Sequence, residues 1–285
     1  RLQNGGSDIG KTTKLTSVSV GQGCVKSNSG SYTTPCPINT SSTDIYDKSG
    51  RTTAPAPTAQ TLPAVPWATV AANQAASTVT CTNGVSLSSA TFYLTPSSGA
   101  GSTGYTCTIG DPVSNSVIGS IVYNSTAHTL AMSGAVYLSG SLDLSTPSAT
   151  TYTGISSLFV LGTVSAANGS VLCVHLSSGK CDYANANTTS SPDYWDVTKS
   201  ILIIESQGAF SATNIGFQGG LYSATLINLG GGQASTQGPL VSPQLIVPGQ
   251  QLNLNFPNIP NLNSDSDPGS QPKYTLAAPQ GYGSY

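Results

Sequence analysis

Apolar positions in this chain fall in short runs divided by polar corners and glycines, and near the C-terminal end the runs superimpose. Gly220-Leu221-Tyr222-Ser223-Ala224-Thr225-Leu226-Ile227-Asn228-Leu229-Gly230 lies over Pro239-Leu240-Val241-Ser242-Pro243-Gln244-Leu245-Ile246-Val247-Pro248-Gly249, an offset of 19 residues. Leu221 meets Leu240, Ser223 meets Ser242, Leu226-Ile227 meet Leu245-Ile246, and Gly230 meets Gly249. Earlier, Val136–Leu142 lies over Leu158–Val164 at an offset of 22, with Gly140 on Gly162. An apolar run, a polar corner, a second run and a glycine turn recurring at about twenty residues describe one coil of a solenoid. Unequal offsets suit coils with corners of different length and exclude a hexapeptide helix.

The strands expected between Ala76 and Gly249 are Thr78–Thr82, Thr91–Thr95, Tyr105–Ile109, Val117–Tyr123, Thr129–Met132, Ala135–Ser139, Leu142–Leu144, Leu158–Val164, Val171–His175 and Ile201–Glu205. No stretch sustains a capped 3.6-residue apolar period; Ala68–Ala76 is the best short-helix candidate. The fold class that follows is all-β: a parallel β-solenoid of about 7–9 coils, ~35–45 Å long at ~4.8 Å per coil. Residues 1–75 form an irregular cap, with one strand at Leu15–Val20 and a proline-rich linker over Arg51–Pro66; 76–249 form the solenoid. Residues 250–285 form an extended tail with Pro257, Pro260, Pro268, Pro272 and Pro279, anchored by Tyr274, Tyr282 and Tyr285. Trp67 is expected to plug the open end of the stack rather than to bind sugar.

Charged residues are only 7% of the chain. Stacked coils suit Ser, Thr and Asn, which hydrogen-bond between neighbours where like charges repel. Nine Lys+Arg against eleven Asp+Glu exclude the basic face that nucleic acid needs, and no membrane span is visible. The six cysteines are Cys24, Cys36, Cys81, Cys107, Cys173 and Cys181, with no CxxC pair. An even count in a weakly charged chain reads as oxidised and extracellular. Spacing alone leaves the connectivity open; nearest-neighbour closure (Cys24–Cys36, Cys81–Cys107, Cys173–Cys181) is favoured because each bridge would staple an irregular excursion. Sequons at Asn39, Asn124, Asn168 and Asn187 fit a secreted chain. A start at Arg1 suggests a processed product or an ectodomain whose leader has been removed.

The order of several segments resembles the β-solenoid ectodomain of pilus-assembly, polymer-forming (minor-pilin-like) surface proteins of Gram-positive bacteria, over roughly residues 62–270. The segments are Trp67, Gly104-Tyr105-Thr106-Cys107, the paired runs Gly134–Leu138 and Gly140–Leu144, and Leu172-Cys173 with Cys181-Asp182. Asp193-Tyr194-Trp195-Asp196, Phe217-Gln218-Gly219-Gly220-Leu221-Tyr222, Gly238-Pro239-Leu240-Val241 and Phe256-Pro257-Asn258-Ile259-Pro260 complete the series. The resemblance implies a cell-surface or filament protein without catalytic residues; the apolar prepilin-like helix of such proteins is not seen here.

Chemistry is weighed against that background. Glycoside hydrolysis needs two positioned carboxylates, and Asp193, Asp196 and Glu205 are the acids that could converge. Asn263, Asp265 and Asp267 alternate ahead of Gly269 like the start of a calcium loop, but Tyr274 stands where the bidentate glutamate belongs. His128 and His175 read as polar residues on outer strand faces, Lys180 as a solvated loop residue, and Gly230-Gly231-Gly232 as a coil corner. No enzyme activity, cofactor or metal is expected. The function expected is a structural subunit of an extracellular filament, pilus or surface layer, self-associating through solenoid edges or exchanged terminal segments. The alternatives are a monomeric adhesin or glycan-binding module, with Tyr137 and Phe159 as its aromatic pair, and a β-helix carbohydrate-active enzyme.

Overall fold

The computed structural model describes residues 65–111, 113–114, 116–186, 190–230 and 233–246, and the backbone of 251–255. The Leu15–Val20 strand, Cys24 with Cys36, most of the Arg51–Pro66 linker, Asn39, Asn187, the Asn263/Asp265/Asp267 candidate and the tail tyrosines lie outside the described residues.

The chain is all-β apart from helix α1 (Trp67–Ala76) and a single turn, α2 (Tyr183–Ala186). The strands are β1 (Thr78–Cys81), β2 (Thr91–Tyr93), β3 (Tyr105–Gly110), β4 (Val117–Asn124), β5 (Thr129–Leu138), β6 (Ser141–Asp143), β7 (Thr150–Val160), β8 (Val164–Ala166), β9 (Val171–Cys173), β10 (Leu176–Ser177) and β11 (Lys180–Cys181). They continue with β12 (Ser200–Ser206), β13 (Phe210–Thr213), β14 (Gly216–Gln218), β15 (Gly220–Ser223), β16 (Ile227–Gly230), β17 (Gln233–Gln237), β18 (Leu240–Val241), β19 (Leu245–Ile246) and β20 (Gln251–Asn255).

The sheets are mixed, which corrects the expectation of parallel pairing from Ala76 onward. β1, β3, β4 and β5 run antiparallel to one another in that order. The cause lies in the connections. Between β4 and β5 the chain reverses in a tight turn, where Asn124 Oδ1 accepts the N–H groups of Thr126 and Ala127 and His128 takes a φ of 51°. A reversal that short can only return the chain antiparallel. Cys81 stands directly opposite Cys107 across β1 and β3, and the two are bridged.

From β5 onward pairing is parallel, apart from the β10–β11 hairpin, and organised in three ladders. The first runs from Thr129–Ala131 of β5 through the start of β7 to β9, β14, β17 and β20. The second runs from Gly134–Leu138 through the second half of β7 to β12, β15 and β18. The third, a separate six-stranded sheet, runs β2, β6, β8, β13, β16, β19. Among the described residues the first and third ladders have six strands and the second five, fewer than the 7–9 coils expected, because the antiparallel start and an insertion, Val174–Lys199, use up chain. Steps between paired residues are 22 (Val136 to Leu158), 46 where the insertion intervenes (Leu158 to Ile204), then 17 (Ile204 to Leu221) and 19 (Leu221 to Leu240). β20 lies parallel to β17, so the ladder continues past Gly249 into the segment read as tail.

Alternation along each strand sends one set of side chains inward. Val136, Leu158, Ile204 and Leu221 form one buried column, and Phe92, Leu142, Val164, Phe210 and Ile227 another. Burial of each such side chain is worth about 1.5–3 kcal/mol. The corner between the first two ladders depends on Gly154, whose φ is +91° and where an added Cβ would lie 2.0 Å from the Met132 carbonyl oxygen. The interior also holds an amide pair: Gln218 Nε2 donates to Gln237 Oε1 at 2.7 Å, and Gln218 Oε1 accepts the Val174 N–H at 2.8 Å.

Candidate functional site

Three regions stand apart from a bare stack: an aromatic row on the outer face of the second ladder, the insertion, and the C-terminal rungs.

The row follows from strand alternation. Tyr137, Phe159, Glu205 and Tyr222 are register partners on β5, β7, β12 and β15. They alternate with the inward residues Val136, Leu158, Ile204 and Leu221, so they point out of the core. Tyr137 and Phe159 stack with centroids 5.4 Å apart. Both are nevertheless buried, at 3% and 4% exposure, because α1 lies over them. Val65, Trp67 and Val70 pack onto the row, Trp67 sits 6.5 Å from the Tyr222 ring, and Asn73 Nδ2 donates to the Tyr137 hydroxyl at 3.4 Å. One expectation is corrected here: Trp67 covers an outer face instead of plugging an end. The Tyr137–Phe159 pair, named for the glycan-binding alternative, is covered.

Glu205, the chain's single glutamate, stands in this row between Phe159 and Tyr222, and burial pushes its carboxyl up to about 7. Sequence reasoning named Glu205 as a possible catalytic acid and missed its burial. The signal available was its place inside the apolar run Ile201-Leu202-Ile203-Ile204-Glu205.

The candidate acids do not converge. Asp196 accepts N–H groups from Thr198, Lys199 and Ser200 at the entrance to β12 and pairs with Lys199 Nζ at 3.0 Å. From Ser200, five residues of strand lead to Glu205, about 16 Å at the usual rise. Paired glycosidase carboxylates lie about 5–9.5 Å apart. Asp193 Oδ1 lies 3.7 Å from His175 Nδ1 within the insertion. His175 follows β9 and His128 occupies a turn, so neither is on a strand face. Among the described residues no group of three His, Cys, Asp or Glu could hold a metal ion.

The insertion is pinned at several points. The Cys173–Cys181 bridge closes its first hairpin, β10–β11, with Lys180 exposed beside the turn as expected. Asp182 Oδ1 accepts the Asn185 N–H at the start of α2, and buried Trp195 donates Nε1–H to the Ser200 carbonyl. The Tyr183 hydroxyl accepts the Phe217 N–H and donates to the Ser235 carbonyl, fastening the insertion to β14 and β17. Burial holds that phenol well above its ordinary value. Tyr183→Phe is expected to cost about 1–2 kcal/mol in urea unfolding and to speed proteolytic cleavage within Val174–Lys199 before the rest of the chain.

Asn124 is exposed with its side chain engaged in its own turn, and Asn168 Oδ1 accepts from Asn214 Nδ2 at 2.6 Å, on the next rung of that corner.

Comparison with family models, curated proteins and solved structures returns no match for this chain.

Proposed function

We propose that the chain is a structural subunit of an extracellular filament, pilus or cell-surface layer, and that its three parallel ladders are the faces of one β-solenoid. Regular steps between rungs support the solenoid reading: 22 residues before the insertion, then 17 to 19 after it. Columns of identical character running through successive rungs support it too. Two disulfides fit an oxidising compartment, and no described helix is long and apolar enough to cross a membrane.

The observation that carries the assembly reading is the C-terminal end. Among the described residues all three ladders terminate there together, on β18, β19 and β20. Strand ends of this kind are templates on which another chain can add a strand. The segment resemblance to pilus-assembly surface proteins points the same way. The buried state of Tyr137 and Phe159 counts against the glycan-binding alternative, and the separation of Asp196 from Glu205 counts against hydrolysis.

Negative-stain microscopy and light scattering of the full chain across a concentration series decide the matter. Filaments or sheets with a regular subunit repeat are the expected result; dispersed monomers at the highest concentration would overturn it.

A further inference from the structure

We propose that α1 is a releasable strap: it lies on the outer face of the second ladder while the Glu205 carboxyl is protonated, and it leaves that face when the carboxyl ionises.

The geometry is that of an acid under an apolar lid. Glu205 is 9% exposed and is flanked in its row by Phe159 and Tyr222. Both flanking rings belong to the apolar cluster formed with Val65, Trp67 and Val70. α1 brings no cation to it: the helix reads Trp-Ala-Thr-Val-Ala-Ala-Asn-Gln-Ala-Ala, without an ionisable residue. From β15 the Tyr222 phenol faces it, held above its ordinary value first by burial, so it stays neutral through the physiological range and supplies no charge. From β7 the neighbour is Phe159. An ionised carboxylate at 9% exposure has no counter-ion among the described residues, and such a group is stabilised by regaining solvent.

Lifting α1 is the least costly way to admit that water. The helix is ten residues long, and its N-cap, Pro66, makes no side-chain capping bond. A helix this short is marginal without packing. Only Val70 along it is buried. Below α1 the chain passes through Ser77, with φ −65° and ψ 140°, straight into β1. β1 is tied to β3 by the Cys81–Cys107 bridge, so movement would stop at Ser77 and spare the ladders. The carboxyl's displacement from 4.5 to about 7 sets the size: ionisation weakens docking by up to about 300-fold. A monomer and a filament would show the effect alike, so it stands apart from the assembly reading.

Trp67 and Trp195 are the only tryptophans, and they report on the strap and the interior separately. Acrylamide quenching of the wild-type chain, compared with Trp67→Phe, isolates each signal between pH 5 and 9. The expected result is a several-fold rise in Trp67 quenching as pH climbs from 5 to about 7, levelling off above that. It should vanish in Glu205→Gln, while Trp195 quenching stays constant. Three outcomes each overturn the proposal: no change in Trp67 across the range, the same change in Glu205→Gln, or a parallel change in Trp195 showing that the whole fold opens.

Discussion

Replacing Glu205 with glutamine is expected to stabilise the folded chain by up to about 3 kcal/mol at pH 8 and by almost nothing at pH 4. The folded carboxyl, pushed up to about 7 by burial, holds its proton over a range in which the unfolded one, near 4.5, has already lost it. Stability from this group is therefore fully present below about pH 4.5. It falls as pH rises through the folded value, and it is flat above that. Glutamine keeps the shape and the neutral polarity without the ionisation, so it removes the fall. About 3 kcal/mol is a ceiling, because release of α1 would let the carboxylate rehydrate before the ladders unfold. Urea unfolding of both proteins at pH 4, 6 and 8 tests this. Parallel stability curves across the three pH values would show that Glu205 titrates normally in the folded chain.

The parts of the fold legible in the sequence were those with local causes. Helix α1 matches the Ala68–Ala76 candidate to within a residue, because its alanines favour helix and Pro66 suits the position before it. The offset of 22 is realised in the register of Val136 with Leu158, and the offset of 19 in that of Leu221 with Leu240. The second run of that repeat slips by one: Ile227 pairs with Leu245, not Ile246. The corner from Val241 to Leu245 is one residue shorter than the one from Tyr222 to Ile227, and matching letters cannot register a shortened corner. Both described disulfides pair nearest neighbours, as expected. Cys81–Cys107 does so from two paired strands, at the base of the largely irregular segment 82–104.

What stayed hidden depends on tertiary placement. The antiparallel start reads, strand by strand, like any other set of short β runs, and short reversals between Gly110 and Val117 and at Ser125–His128 turn it back on itself. Leu158–Val164 reads as one strand because it is apolar apart from Gly162 and Thr163, but the chain bends at Leu161-Gly162 into the third ladder. The outer aromatic row has the composition of a core, and nothing in spacing distinguishes an outer row under a helix from an inner one. Glu205 illustrates the point: spacing offers it only as an acid that could meet Asp193 and Asp196, whereas in the fold it is 9% exposed within a row whose aromatic members pack with α1, more than a hundred residues away in sequence.

The amide pair inside the first ladder carries the largest single-residue effect expected in the described structure. Gln218 and Gln237 are each fully buried and are register partners on β14 and β17. Gln218 also holds the Val174 N–H, the first group of the insertion, and its own carbonyl accepts the Tyr152 hydroxyl from across the interior at 2.8 Å. Gln218→Ala removes the acceptor for Val174 and the donor for Gln237 and leaves a cavity. The expected cost is about 3–5 kcal/mol in urea unfolding. Gln237→Ala leaves Gln218 Nε2 without its acceptor, for about 2–4 kcal/mol. Gln218→Leu with Gln237→Leu should cost only about 1–3 kcal/mol, well below that sum, because the paired change leaves the Val174 N–H without its acceptor but strands no half of the amide pair. Glutamine at these positions thus serves register more than stability. An apolar pair could slide by one rung, whereas the Oε1 and Nε2 contacts are satisfied in one alignment only. Hydrogen exchange at the Ser235 and Gly219 amides, which bond to the Ile215 and Gln237 carbonyls across this pair of strands, decides between the two roles. Faster exchange in the leucine pair at similar global stability supports alignment, and unchanged exchange would mean that backbone pairing alone holds β14 and β17 in place.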